Sequence, residues 1–109
     1  MAIDPPAPIA AYFVADASDS SEAVSRCFAN DATVTDEGHT HRGRLAIAAW
    51  KADATTKYSY TLEPFSIGFD GDRIVVVCHL EGDFLGSPLD LRFIFRLQDD
   101  KIAELEIIP

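Results

Sequence analysis

The sequence predicts an α+β fold in which N-terminal helices pack on a strongly curved antiparallel sheet and enclose a pocket. Two periodicities and one break predict it. Apolar residues recur at helical spacing through the first half of the 109 residues. They alternate with polar residues through the second half, which is the order of an α+β chain. The alternation then changes phase at Glu63-Pro64. Proline cannot donate to a strand ladder, so a bulge or sharp bend is expected there. A long strand bent in this way helps a sheet curl around a cavity.

Each element follows from local residue chemistry. Pro5, Pro6 and Pro8 suit the approach and first turn of a helix, where a missing N–H costs little. Ile9, Tyr12, Phe13 and Ala17 continue that helix as one apolar stripe. Asp19 or Ser20 can cap a second helix, with Glu22 in its first turn. Ala23, Val24, Cys27 and Phe28 form its buried side, and Asn30-Asp31 ends it. Ala32 to Asp36 reads as a short strand, and Glu37 to Arg42 as a polar loop. Gly43 opens a third helix, whose apolar side carries Ile47, Trp50 and Ala54.

From Thr56 onward the pattern is strand. Tyr58, Tyr60 and Leu62 alternate with polar residues, and Phe65, Ile67 and Phe69 do so on the opposite parity. Asp70-Gly71 is a hairpin signal. Ile74 to Leu80 is nearly continuous apolar and is expected to be covered on both faces. Gly86-Ser87-Pro88 makes the next connection. Leu89, Leu91, Phe93, Phe95 and Leu97 then alternate with Asp90, Arg92, Ile94 and Arg96, and after Asp99-Asp100 Ala103, Leu105 and Ile107 alternate with Glu104 and Glu106. The last hairpin keeps both face patterns only if its loop is longer than two residues or bulged. That register sets Phe95 opposite Leu105 and Arg96 opposite Glu104.

Composition excludes several function classes. With 48% hydrophobic residues the chain suits one compact domain over residues 1–109. The balance of 9 basic and 18 acidic residues gives a net charge of -9, which argues against nucleic acid and against anionic membranes. No stretch approaches the roughly 20 apolar residues of a membrane helix. The start has neither a basic region nor an apolar signal core, so a cytoplasmic protein is expected. Cys27 and Cys78 lack metal-binding spacing and read as reduced core residues. No phosphate loop, nucleophile elbow or dinucleotide fingerprint is present, and no cofactor is expected.

Candidate functional residues stand out against this background. Phe13, Phe28, Trp50, Tyr58, Phe93 and Phe95 supply aromatic surface, most of it core, from which a subset lining a cavity would suit a flat apolar ligand. His39 and His41 follow Asp36 at metal-like spacing but lack a further ligand. His79 sits within an apolar strand and shares a face with Val75, Val77, Glu81 and Asp83. If that face lines the cavity, His79 and Asp83 form a proton-transfer pair; if not, His79 belongs to a core or a dimer face.

The segments Ala29-Asn-Asp-Ala-Thr-Val-Thr-Asp36 and His41-Arg-Gly-Arg-Leu-Ala-Ile47 with Trp50, and the Phe93–Ile107 hairpin, carry a resemblance over nearly the whole chain. Their order resembles the nuclear transport factor 2-like superfamily, in its SnoaL-like and ketosteroid isomerase-like branch. The resemblance implies a cone-shaped, cystatin-like fold with an apolar pocket, and commonly a homodimer formed through the sheet. It leaves activity open, because the fold hosts enzymes and pure binders.

In ketosteroid isomerase a carboxylate shuttles a proton while a tyrosine and a protonated aspartate stabilise the enolate. By resemblance, Tyr12 falls where the oxyanion tyrosine would lie and Asp36 matches the general base. The alternatives are a core tyrosine and a turn-forming aspartate. Asp90 matches the protonated aspartate only superficially. Counting back from the Asp99-Asp100 turn puts Phe93 at that position, and Asp90 shares a face with Arg92 and Arg96, whose charge would keep it ionised. The expected function is a pocket for a small apolar molecule, with cofactor-free isomerisation, cyclisation or dehydration. Asp36 would be the base, Tyr12 the oxyanion donor and His79 a second acid/base. The alternative is a non-catalytic ligand-binding or dimerisation module.

Overall fold

A computed structural model describes residues 3–57 and 59–109. The order is α1 (Ala7–Ala17), α2 (Ser21–Arg26), β1 (Phe28–Asp36), β2 (His39–Arg42), α3 (Arg44–Lys57), β3 (Tyr60–Asp70), β4 (Arg73–Gly82), β5 (Leu89–Gln98) and β6 (Lys101–Ile108). The strands form one sheet in the order β2-β1-β6-β5-β4-β3. Every pairing is antiparallel except β1 with β6, which is parallel. The sheet is therefore mixed, and its parallel pair needs the crossover that the helices and intervening strands supply.

Helix α1 starts on its prolines, with Pro8 inside the first turn. Ser20 caps α2, its side chain accepting from the Ala23 N–H at 3.1 Å. Helix α2 is shorter than the periodicity predicts. Cys27 ends it, and Phe28 begins a strand instead of joining the helix's buried side. The reason is tertiary: the Ile102 N–H donates to the Cys27 carbonyl at 2.9 Å, and Phe28 pairs with Ile102. A sheet ladder takes backbone groups that a helix would otherwise use.

The loop expected after Asp36 is a hairpin. Glu37 and Gly38 both have positive φ and form a two-residue turn between Asp36 and His39. Thr56, expected to open a strand, lies in α3, and the strand starts at Tyr60. Tyr58 lies outside the described residues.

The predicted break in β3 is present. Pairing slips between Pro64 and Ser66, leaving Phe65 as the extra residue. Tyr60, Leu62 and Pro64 face the helices before the bulge, and Ile67 pairs with core Val76 after it. The last hairpin has the expected register: Phe95 opposes Leu105 and Arg96 opposes Glu104, with a bulge before Leu97. Strand β4 corrects one expectation. Ile74, Val76, Cys78 and Leu80 are buried, while Val75, Val77 and His79 on the other face are half-exposed, so only one face is covered.

The core lies between the helices and that inner face. It joins Ile9, Tyr12 and Phe13 of α1, Val24 of α2 and Ile47 of α3 to Val34, Val76, Phe93, Phe95 and Leu105. One glycine fixes where β3 enters. A Cβ on Gly82 would lie 2.6 Å from the Tyr60 Cβ and 2.7 Å from its Cα. Gly82→Ala is expected to push the start of β3 outward and to lower stability by about 1–3 kcal/mol, measured as a lower urea midpoint with an unchanged slope.

Candidate functional site

Two polar clusters interrupt the apolar interior. The first grows from the helix stripes themselves. On α1 the buried positions Ile9, Tyr12 and Phe13 continue one turn later to Asp16, and on α3 Ile47 continues one turn later to Lys51. Opposite charges thus arrive at the same depth. Lys51 is 2% exposed and Asp16 is 7% exposed. The ammonium donates to the Asp16 carboxylate and, at 3.0 Å, to the Tyr60 hydroxyl from β3. Burial alone would lower the Lys51 pKa, but the charge and hydrogen bond of Asp16, with Tyr60, outweigh it and hold it above its ordinary 10.5. The ion pair therefore persists, and it compensates charges that could not stand alone in this interior.

A cavity of about 530 Å³ opens beside this cluster, between α1 and β3. Its walls include Phe13, Val14, Asp16, Tyr60, Leu62 and Pro64. The volume lies within the range of small-molecule pockets.

The second cluster lies at the end of β1. The Trp50 indole N–H donates to the Asp36 carboxylate at 3.1 Å, and the His41 ring lies 6.2 Å from that of Trp50. Burial raises the Asp36 pKa above its usual value, and the Trp50 hydrogen bond offsets this in part. A carboxylate oriented by a neutral N–H and lifted by desolvation is suited to accept a proton near neutral pH.

Tyr12 is fully buried. Its ring meets those of Phe13, Phe28 and Phe95 edge-on at 5.2, 5.9 and 5.7 Å. Burial, then the charges of Asp16, Tyr60, Cys78 and Asp36, push its pKa well above 10.0. Tyr12 remains a neutral donor, and its hydroxyl feels both clusters.

Of the residues singled out from sequence, Asp36 and Trp50 come together, and Phe13 borders the cavity. Tyr12 and Asp36 are not among the residues that line it. Phe28, Phe93 and Phe95 pack around Tyr12 within the core. His79 is on the outer face of the sheet, half-exposed. Its Nδ1 lies 2.7 Å from Asp90 and its Nε2 lies 2.9 Å from Glu81. Those hydrogen bonds, Glu81 first, raise its pKa. Asp83 does not join it, accepting instead from the Ser59 N–H at 2.9 Å. Asp90 lies on the predicted face, but its partner is His79, not an arginine. Arg96 and Arg73 bind Glu104. Burial pushes the Cys78 thiol up to about 12, which makes it a poor nucleophile. Among the described residues, no three His, Cys, Asp or Glu side chains gather as a metal site. No described helix is long and apolar enough to cross a membrane.

Sequence reasoning missed Asp16, Lys51 and the contact of Lys51 with Tyr60. The signal was available. A single charge at the i+4 position of an apolar stripe occurs in α1 and again, with opposite sign, in α3.

The family model of the SnoaL-like domain matches residues 9–105. A Sinorhizobium meliloti protein provisionally assigned as a polyketide cyclase is 40% identical over 98% of each chain, with a TM-score of 0.92. A Catenulispora acidiphila protein with a ketosteroid isomerase-like fold, solved in complex with trimethylamine, is 21% identical. The match covers 97% of this chain and 87% of that one, with a TM-score of 0.83. SalBIII, an epoxide hydrolase/cyclase-like enzyme with a role in pyran ring formation in the polyether salinomycin, is 20% identical. That match covers 93% of this chain and 86% of SalBIII, with a TM-score of 0.76. The last two likenesses show the fold alone. A comparison with curated proteins gives no match.

Proposed function

The chain belongs to the SnoaL-like domain family of the nuclear transport factor 2-like superfamily, a cyclase- and isomerase-type fold, and from that premise we propose that it is a cofactor-free acid–base catalyst. Its substrate is a small, largely apolar molecule with an acidic C–H beside a carbonyl, and the reaction class is isomerisation, cyclisation or dehydration. The observation that carries this reading is Asp36: a half-buried carboxylate with a raised pKa, oriented by the Trp50 N–H. In the proposed reaction Asp36 removes the proton, and the neutral Tyr12 phenol donates to the oxygen that gains charge. The ligand enters through the cavity between α1 and β3. Tyr12 stands on α1 beside Phe13 and Asp16, which line that entrance.

The test uses a generic carbonyl acid. Wild-type protein should accelerate exchange of the α-protons of 2-tetralone in deuterated water, followed by proton NMR, and Asp36→Asn should not. Binding without accelerated exchange would leave a non-catalytic pocket protein instead.

A second copy of the chain is proposed to pack on the outer face of the sheet, where Val75, Val77 and Ile94 are half-exposed. This surface offsets the small core of a short chain. Sedimentation equilibrium should return twice the 11.9 kDa chain mass, and the chain mass itself at micromolar concentration would exclude the dimer. The cytoplasm is the proposed location, which the free thiols of Cys27 and Cys78 support.

A further inference from the structure

We infer that Tyr60, held by the buried Lys51–Asp16 pair, is the hydrogen-bond donor that selects ligands carrying an uncharged acceptor oxygen in the cavity between α1 and β3. The inference rests on the reading of that cavity as the ligand's entrance, and it assigns a group that the Asp36 and Tyr12 chemistry does not use.

The geometry of the phenol carries it. A tyrosine hydroxyl has one proton to give and lone pairs to receive. The Lys51 ammonium, 3.0 Å away, takes a lone pair. It can only donate, so the phenol's own proton is left for another partner, and Tyr60 is a wall of the cavity. The same ammonium sits 5.5 Å from the Tyr60 ring centroid. That separation follows from the same hydrogen bond, which by itself fixes the phenol oxygen against a buried cation. A hydroxyl that accepts from a cation also donates more strongly, because successive hydrogen bonds polarise one another.

The surroundings set the class of ligand. Phe13, Val14, Leu62 and Pro64 line the same cavity as Tyr60 and give it apolar surface, which suits fused rings. Asp19 also borders the cavity, as does Asp16, whose charge Lys51 balances, and the chain carries a net charge of -9. An anionic oxygen is disfavoured there, whereas a ketone or quinone oxygen accepts from Tyr60 without bringing a charge. Lys51 and Asp16 act through Tyr60 and are positioning residues.

The experiment compares two probes of nearly one shape, 2-acetylnaphthalene and 2-isopropenylnaphthalene, of which only the ketone has an acceptor oxygen. Dissociation constants are measured on the full chain as wild type and as Tyr60→Phe. The ketone-to-hydrocarbon affinity ratio should fall about tenfold in Tyr60→Phe, the size of one neutral hydrogen bond, while hydrocarbon affinity stays constant. The carbonyl stretch of the bound ketone should lie at lower frequency on wild type and return upward in Tyr60→Phe. In Asp16→Leu/Lys51→Met, which keeps Tyr60, it should return part of the way. An unchanged ratio, an unshifted stretch on wild type, or no binding of either probe up to its solubility limit would overturn the inference. A stretch unaltered in the double variant would remove Lys51 and Asp16 from it. None of these readouts needs turnover. A failed tetralone exchange with an intact Tyr60 effect would therefore sink the Asp36 chemistry alone.

Discussion

Lys51→Met should lower stability by about 3–5 kcal/mol, whereas Asp16→Leu/Lys51→Met should recover most of that loss. The asymmetry follows from burial. Asp16 and Lys51 are among the few polar residues buried in the described core, and each relieves the other's desolvation. Removing one partner strands a carboxylate among Tyr12, Phe13 and the cavity wall. Removing both replaces a costly pair with side chains of similar volume, which interiors tolerate. Against a typical domain stability of about 5–15 kcal/mol, the single variant should be close to unfolding and the double variant close to wild type. Urea unfolding of the three proteins gives the coupling directly. A single-variant loss below about 1 kcal/mol would mean that water reaches the pair. The same pair has a pH signature. Lys51 has a folded pKa above its ordinary 10.5, so its contribution is complete below that value and is lost as pH rises through the folded pKa. Wild type should therefore lose stability in strong alkali by a step absent from Asp16→Leu/Lys51→Met.

The pair also marks where reading the sequence succeeded and where it stopped. Alternation is a strong local signal wherever one sheet face is buried, so the phase slip near Pro64 and the Phe95–Leu105 register were both legible. Turn chemistry was legible at Asp70-Gly71. It was not at Glu37-Gly38, because a two-residue turn of this kind is usually announced by Asn or Asp before the glycine, and here Glu37 takes the positive φ. The β2 strand was lost with it. The end of α2 was illegible for a different reason: the competing partner of Cys27 and Phe28 is Ile102, far along the chain. The site divides in the same way. Asp36 sits at a strand end that the pattern itself defines. Asp16 and Lys51 acquire meaning only when α1 and α3 are laid side by side, and an apolar-stripe search passes over the charged residue that continues each stripe. The outward orientation of His79 was also undecided in sequence, because Val75 and Val77 made the exposed face of β4 look as apolar as its buried face.

Asp36→Asn should reduce α-proton exchange by roughly 10²–10⁴-fold, the usual contribution of a positioned base, with ligand binding unchanged. The amide is nearly the same size, and its oxygen can still accept from the Trp50 N–H, so the change removes basicity and little else. The pH profile carries the same argument. A carboxylate base works only when ionised, so wild-type exchange should rise with pH through the Asp36 pKa, which burial lifts above its ordinary 3.8. No falling limb should follow up to pH 10, because the Tyr12 donor stays protonated well beyond that. Stability should move the opposite way to activity. A group whose folded pKa is raised favours folding below its unfolded value, and that advantage is lost as pH rises through the folded value. At neutral pH the ionised Asp36 is therefore held at a cost that function requires and folding does not. Asp36→Asn should accordingly unfold at a higher urea concentration than wild type at pH 7, and the gap should close on acidification toward pH 4. A variant that is inactive and also less stable at pH 7 would show instead that Asp36 belongs to the framework of the β1–β2 turn, and its assignment as the base would fall.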